Sequence, residues 1–347
     1  MEASSRRNLL ARKRSGLGRS QERSLIRGYS SQAGLLIEVE ASKRNLTDLV
    51  WIDLVEPSDK EEAALEKQLG IGIPTRDEMQ EIEISSRLYR EDGAVFMTAI
   101  LPAHADGDEP DMQPVSFVLS GLQLITVRHH EPRSFQTFPQ RAAKVAMGVE
   151  AGEGVLIALL EEIVDRLADI LEHAGRDVDD VSRKIFQRHE GRQTRSQNFQ
   201  NTLATIGRKG DLISNIRDSL VTLDRLAGFL NQHIVGEGDA REHISRVKTL
   251  TRDIRSITDH AGFLSQKITF LLDATLGMIN IEQNAIIKIF SVAAVVFLPP
   301  TLIASIYGMN FEHMPELDWP LGYPFAIGLM ILSAILPFVF FKRKGWL

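Results

Sequence analysis

Two stretches interrupt an otherwise mixed pattern of apolar and polar positions: Ile289–Ile306 and Tyr323–Phe341, neither holding a charge. Each is long enough to cross a hydrocarbon core of about 30 Å at about 1.5 Å per helical residue. Upstream the pattern differs. Residues 33–139 contain seven prolines and several stretches of period-two alternation. "GLLIEVE" and "LVWIDLVEP" predict strands. "SDKEEAALEKQLG" predicts a helix, with Ser58 and Glu61 spaced for a capping box and Gly70 at its C-terminal end. "SRLYREDGAVFMTAIL" predicts a hairpin turning at Glu91-Asp92-Gly93, and "PVSFVLSGLQLITVRH" another turning at Ser120-Gly121. Residues 33–150 are therefore expected to form an α/β domain with a sheet built mostly of hairpins.

From Gln140 to Leu298 there is no proline at all. Proline costs a helix interior about 3 kcal/mol, so its absence over this length predicts continuous helix. Breaks are expected at "HEGRQTRSQ" and "VGEGDA", giving a helical hairpin over 151–238 and a long helix over 239–307. That last helix shows no stop before the first apolar run and would be about 100 Å long. Ile244, Val247, Leu250, Ile254, Ile257, Ala261, Leu264, Ile268 and Leu271 recur along it at spacings of three and four. Such a seam calls for partners, either other copies or the chain's own helices.

Charge then orients the apolar runs. The second ends in "KRKGWL", and Lys342, Arg343 and Lys344 mark a cytoplasmic end; Lys288 precedes the first run. The loop over 308–322 holds Glu312, Glu316 and Asp318 and no Lys or Arg, which places it outside. Two spans then leave both termini, the basic tail 342–347 included, in the cytoplasm. Trp319, Tyr323 and Trp346 sit where interfacial anchors belong. The net charge of −6 conceals eight Arg and Lys between Met1 and Arg27. Residues 1–32 are therefore expected to be a basic, disordered tail with at most weak attraction to an anionic leaflet. The chain has no Cys, which excludes disulfides, thiolate metal sites and Cys nucleophiles. No phosphate-binding Gly loop is present, and His129-His130 lacks both metal-ligand spacing and a nucleophile partner. The residues give no reason to expect an enzyme or a nucleic-acid partner.

One line of positions down the first span differs from the rest. From Asp273 the three–four alternation runs through Gly277, Asn280, Asn284, Ile287, Ser291, Ala294, Leu298, Thr301, Ser305 and Gly308. Polar groups inside a membrane face protein or water rather than lipid. Two readings fit: hydroxyls bonded to their own helix carbonyls beside small residues for close packing, or a pathway lined by several copies around an axis. Pro299-Pro300 falls mid-span and frees backbone carbonyls. A neutral, oxygen-bearing stripe between Asp273 and an acidic outer loop would attract cations at both ends and hold them weakly between.

These residues carry a resemblance. "MINIEQNAIIKIFSVAAVVFLPPTLIASIYGMN", then "YGMNFEHMPEL" and a second span ending in "KRKGWL", closely resemble the CorA family of magnesium transporters from Met278 to the C-terminus; "WIDLVEP" and "EIEISSRLYREDG" are similar as well. The resemblance implies an α+β chain, with a cytoplasmic α/β/α funnel domain and a stalk helix continuing into the first of two C-terminal transmembrane helices. It implies a homopentamer in the cytoplasmic membrane, with the first spans lining the pore. The family's Gly-Met-Asn signature falls on Gly308, Met309 and Asn310, Asn310 forming the outer site for hydrated Mg²⁺. Its inner polar ring falls on Asn284, its hydrophobic constriction on Ile287, Phe290, Ala294 and Leu298, its Thr ring on Thr301 and its acidic ring on Asp273.

The family's expected activity is channel-like Mg²⁺ uptake, with Co²⁺ and Ni²⁺ as further substrates. Mg²⁺ is then substrate and regulatory ligand, no other cofactor being implied. Closure would come from cytoplasmic Mg²⁺ held between subunits. The stalk position implied falls near Thr249, which is not acidic, and Asp253 one turn on is the candidate. The acid-rich helix Glu161–Asp180, with Asp165, Asp169, Asp177 and Asp179, offers either an electronegative surface or an ordinary solvated face. A proton-coupled Zn²⁺ transporter of the same fold and a membrane-tethered scaffold are the competing readings.

Overall fold

The computed structural model describes residues 25–39, 46–105, 107, 110–186, 195–234, 239–309, 314–315 and 319–346. Residues 1–24 of the basic tail lie outside these. The chain divides into two compact units, one of residues 1–184 and 204–269, the other of 185–203 and 270–347.

The first unit is built on a seven-stranded sheet of order β2-β1-β3-β7-β6-β5-β4. Its strands are β1 (Leu25–Gln32), β2 (Leu35–Val39), β3 (Trp51–Val55), β4 (Leu88–Glu91), β5 (Ala94–Ala103), β6 (Asp111–Ser120) and β7 (Gln123–Arg128). Only β3 and β7 pair in parallel; the other neighbours are antiparallel. The β4–β5 hairpin turns at Asp92-Gly93, both with positive φ, as a two-residue turn matching strand twist requires. The β6–β7 hairpin turns at Gly121-Leu122, one residue beyond the expected place.

The expected tail over 1–32 is corrected at its end. Leu25–Gln32 is a strand of the sheet, pairing with both β2 and β3. "LIRGYSSQ" alternates poorly because its anchoring side chain is a tyrosine: Tyr29 is 2% exposed and stacks on Trp51 with ring centroids 4.4 Å apart. A period-two search for aliphatic residues passes over such a strand.

Helices cover both faces of the sheet. One face packs α1 (Asp59–Leu69) and α2 (Arg76–Gln80) through Leu65, Ile71, Ile73 and Met79 against Ile52, Leu54, Phe96, Val118, Ile125 and Val127. The Ser58–Glu61 capping box forms, the Ser58 amide donating to the Glu61 carboxylate at 2.9 Å, and Gly70 closes α1 in the left-handed conformation. The four-residue α3 (Ile84–Arg87) leads into β4. The opposite face carries α4 (Ser134–Ala142), whose Phe135 and Phe138 rings lie 6.2 and 5.7 Å from Trp51, and the buried start of α5 (Gly152–Phe186). Gly152 donates its amide to the Leu122 carbonyl at 2.7 Å, and a Cβ there would lie 2.4 Å from the backbone of Gln123. Only glycine allows that approach. The unit is thus an α/β/α sandwich.

A polar network lies inside it. Asp53 and Arg128, each at most 1% exposed, face one another across the parallel pair: Nε and Nη2 of Arg128 donate to the two Asp53 carboxylate oxygens at 3.1 and 2.9 Å. Arg128 Nη1 donates to the His130 carbonyl at 2.7 Å; Thr126 donates to Asp53 at 2.8 Å and accepts from the Trp51 indole at 2.9 Å. The guanidinium also lies 4.8 Å from the Phe135 ring centroid. Both charges of this network are paired, the condition under which a buried ion pair is tolerated.

α6 (Arg195–His233) and α7 (Asp239–Tyr307) contribute residues 204–233 and 239–269 to this unit; the expected breaks fall largely on residues 187–194 and 235–238, outside the described residues. The α7 seam is largely absorbed by the chain itself: Val247, Leu250, Ile254, Ala261 and Leu264 are buried, Leu264 against Gly175 of α5, and Ile268 reaches Gly210 of α6. Ion pairs fix the register. Arg246 grips Glu161 through two bonds of 3.0 and 2.7 Å, Lys209 meets Asp177 at 2.7 Å, and Lys267 binds Asp179.

Two outcomes follow. Asp53→Ala leaves Arg128 buried and uncompensated and should cost about 3–5 kcal/mol of stability, whereas the Asp53→Leu/Arg128→Met double change should cost less than either single one; chemical denaturation of the full-length protein checks this. Second, burial holds the His130 imidazole below its ordinary pKa, with Arg128 and His104 adding to the effect against Asp111 and the Leu101 carbonyl. Its Nε2 bonds that carbonyl at 2.8 Å, while its Nδ1 is buried without a partner. His129 is likewise lowered by burial, then by Arg76 and His130. The unfolded chain then takes up protons before the folded one, so stability is complete above about pH 6.5 and falls as pH drops below it. Melting temperatures across that range should fall, and His130→Gln should flatten the decline.

Candidate ion pathway on the first membrane helix

The second unit contains the C-terminal part of α7 and helix α8 (Gly322–Arg343), which among the described residues are the two helices long and apolar enough to cross a membrane. They are joined at one end by residues 308–321. At the other end Lys288 of α7 places its ammonium 5.9 Å from the centroid of the Trp346 ring, just past α8. The two helices therefore run antiparallel.

Burial splits α7 into faces. Val292 is buried and Ala293, Val296, Pro299, Pro300 and Ile303 are partly covered. At about 100° per residue, Val292, Val296, Pro299 and Ile303 fall within about 60° of one another. Ser291, Ala294, Leu298, Thr301, Ser305 and Gly308 lie on the other side of the same wheel, centred about 160° away, and all six are exposed in the single chain. Asn284 and Ile287 continue that line toward the N-terminal part of α7 and are exposed; Phe290, at its edge, is 72% exposed. The expected stripe is thus brought together on one face, away from the covered one.

The chemistry of the stripe is specific. The Thr301 hydroxyl donates to the Phe297 carbonyl at 2.7 Å, the backbone satisfaction foreseen for such a residue. With its proton committed, Oγ1 offers only lone pairs outward. The helix continues through Pro299 and Pro300 without a break, and their missing amides leave the carbonyls of Val295 and Val296 without helical partners. At the end of α7 the Gly308 amide still bonds the Ala304 carbonyl, at 3.0 Å, and a Cβ on Gly308 would lie 3.1 Å from that oxygen. Glycine fits here through room beside its own helix, and Met309 follows it, exposed.

Other candidates stand as follows. Asp273 and Asp253 are exposed on α7, without an ion pair among the described residues. Asn310, Glu312, Glu316 and Asp318 lie outside the described residues. The acid-rich surface of α5 is largely neutralised: Glu161, Glu162, Asp177 and Asp179 pair with Arg246, Arg141, Lys209 and Lys267. Asp165 has its pKa raised, by burial first and then by Glu162. Among the described residues no cluster of three or more His, Asp or Glu side chains could hold a metal ion within one chain. Sequence reasoning missed the convergence of Lys288 and Trp346, which it marked only as separate signs of topology and interface.

A neutral polar stripe on one of two apolar spans is the kind of feature that marks a transport pathway in a membrane protein. Residues 47–343 match the model of the CorA-like Mg²⁺ transporter protein family, and the chain belongs to that family. It is 39% identical over 311 residues to the magnesium transport proteins CorA of Salmonella typhimurium and of Escherichia coli K12, covering 90% of this chain and 96% of each of theirs. Its fold is that of the complete CorA magnesium transporter structure from Methanocaldococcus jannaschii, with a TM-score of 0.73 at 19% identity over 93% of this chain and 99% of that one. As a member of that family it is a membrane transporter and not an enzyme.

If the exposed face of α7 meets water in the assembly, single cysteines there should react with a membrane-impermeant thiol reagent. The chain has no native Cys to interfere. Cysteines at Ser291, Thr301 and Ser305 should be labelled at least about tenfold faster than at Val292, Val296 and Ile303, on the covered face; labelling rates in vesicles decide.

Proposed function

We propose that the protein conducts Mg²⁺ into the cytoplasm along an axis shared by five copies, each contributing the exposed face of α7. The single observation carrying this reading is the placement of Ser291, Thr301 and Ser305 on the exposed α7 face opposite the covered one, with Asn284 and Gly308 exposed at its two ends. Lipid cannot satisfy such a face, whereas neighbouring copies and water can. Asn310 holds the hydrated ion at the outer mouth, beneath the acidic loop of Glu312, Glu316 and Asp318. Mg²⁺ releases its water reluctantly, and neutral oxygens accept hydrogen bonds from that shell without stripping it. Ile287, Phe290, Ala294 and Leu298 form the narrow apolar section, and Asp273 an acidic ring at the inner mouth. Both termini lie in the cytoplasm.

An inside-negative potential draws a divalent ion inward with about 4.6 kcal/mol per 100 mV, so no nucleotide is required. Cytoplasmic Mg²⁺ closes the pathway by bridging subunits, with Asp253 on the exposed side of the stalk as a ligand. Co²⁺ and Ni²⁺, octahedral ions of similar charge, pass by the same route.

The test is Mg²⁺ influx into proteoliposomes under an imposed inside-negative potential. Wild type should show potential-driven entry and Asn310→Ala a loss of at least about tenfold, the worth of a hydrogen bond to a charged centre. Zn²⁺ entry accompanied by proton movement, without Mg²⁺ flux, would transfer the protein to a proton-coupled zinc mechanism. No flux of either ion from folded oligomer at low internal Mg²⁺ would leave a non-transporting scaffold.

A further inference from the structure

The ends of the two spans remote from the 308–321 connection gather charge that the ion pathway does not use. Lys288, Lys342, Arg343 and Lys344 are all exposed, and none makes an ion pair among the described residues. Two of them, from different helices, converge on one indole: the Lys288 and Lys344 ammoniums lie 5.9 and 5.6 Å from the centroid of the Trp346 ring. Lys344 is also 5.4 Å from Phe340, and the Phe341 ring stacks on Trp346 with centroids 5.2 Å apart. Two like charges brought to one ring repel each other. The quadrupole of an indole offsets part of that cost but supplies no counter-charge.

The direction of Lys288 matters as much. On the α7 wheel it falls between the two faces, about 40° from Val292 on the covered side and about 40° from Asn284 on the stripe, and its ammonium reaches toward Trp346. A lysine on the stripe would repel the transported cation. This one is turned toward the end of α8 instead, at the depth where one apolar run begins and the other ends. The chemistry that fits two ammoniums flanking an amphipathic ring at that depth is a phosphodiester, its oxygens bridging the lysines and its acyl chains lying beside Phe340 and Phe341.

We propose that Lys288, Lys344 and Trp346 form a binding site for the headgroup of an anionic phospholipid in the cytoplasmic leaflet. The bound phosphate would neutralise the convergence and tie the end of α8 to α7 at the inner edge of the bilayer. The inference rests on the two helices spanning a membrane with these ends inward and is independent of which ion is moved.

Trp346 reports the site directly. The full-length protein would be reconstituted in phosphatidylcholine vesicles carrying a minor fraction of phosphatidylglycerol, with acyl-chain bromination placed on either lipid in turn. Subtracting the same data for Trp346→Phe isolates this one of three tryptophans. Brominated phosphatidylglycerol should quench the Trp346 emission as strongly as about a tenfold larger mole fraction of brominated phosphatidylcholine. That preference should vanish in Lys288→Gln/Lys344→Gln, survive in Lys288→Arg, and largely survive in Lys342→Gln/Arg343→Gln. Equal quenching by the two lipids in wild type would overturn the proposal. So would loss of the preference only in the Lys342/Arg343 variant, which would show a diffuse basic surface. Competition by millimolar glycerol 3-phosphate would also sink it, assigning the site to soluble phosphates. Because the readout is lipid contact, it is decided even if Mg²⁺ flux proves absent.

Discussion

A hydroxyl or carboxamide inside a bilayer must find a partner, and that constraint governs the rest of this chain. Thr301 partly meets it by bonding the Phe297 carbonyl. Asn284, Ser291 and Ser305 share its exposed face, and one helix offers them nothing beyond its own backbone. The covered face of α7, marked by Val292, lies on the other side of the helix. Two helices can therefore be threaded into lipid but leave one face of the first incompatible with it. That exposed face is what the proposed assembly of copies would cover.

The first unit gives that helix a rigid support. Much of its apolar seam is spent on α5 and α6, with Leu264 against Gly175 and Ile268 against Gly210, while Phe263 and Phe270 remain exposed. Arg246 joins this helix to Glu161 and also donates to the Met147 carbonyl at 3.1 Å, tying α7 to the loop that leads into α5. Behind that loop, Gly152 is pressed against the β6–β7 turn, and β7 carries Arg128 into its buried pair with Asp53. Sheet, loop and stalk are linked by short polar contacts with little slack.

Much of this architecture was legible from periodicity and punctuation. The proline-free run and the two apolar stretches define α5 to α8 closely, because helices announce themselves by what they exclude. The capping box at Ser58 and the Asp92-Gly93 turn are local chemistry, so they survive folding unchanged. β1 escaped because its burial rests on Tyr29, a residue that alternation counts poorly. The partnership of Asp53 with Arg128 was illegible because 75 residues separate them and only the β3–β7 pairing brings them together. The acidic run on α5 misleads for the same reason: most of its counter-charges come from other helices, Arg141 from α4, Lys209 from α6, Arg246 and Lys267 from α7. The stripe was readable by spacing, but its placement opposite the covered face required burial, and the roles of its residues came from resemblance rather than from geometry.

The nature of that stripe also argues for what it would accept. Thr301 has committed its only proton to the helix, so its free lone pairs face outward as acceptors. Pro299 and Pro300 contribute no amides and leave two carbonyls short of partners, adding acceptors to the same stretch of helix. A section rich in acceptors and poor in donors disfavours anions. It suits a species that presents hydrogens, and a strongly hydrated cation presents them on every side. Full charges along the same line would hold a divalent ion too firmly to release it, and here the first carboxylate on the stripe is Asp273, about 40 Å of helix below Thr301. Lys288, the one charge beside the apolar run, is turned away toward Trp346. The middle of the line is thus free of charge, in keeping with the proposed pathway for hydrated cations.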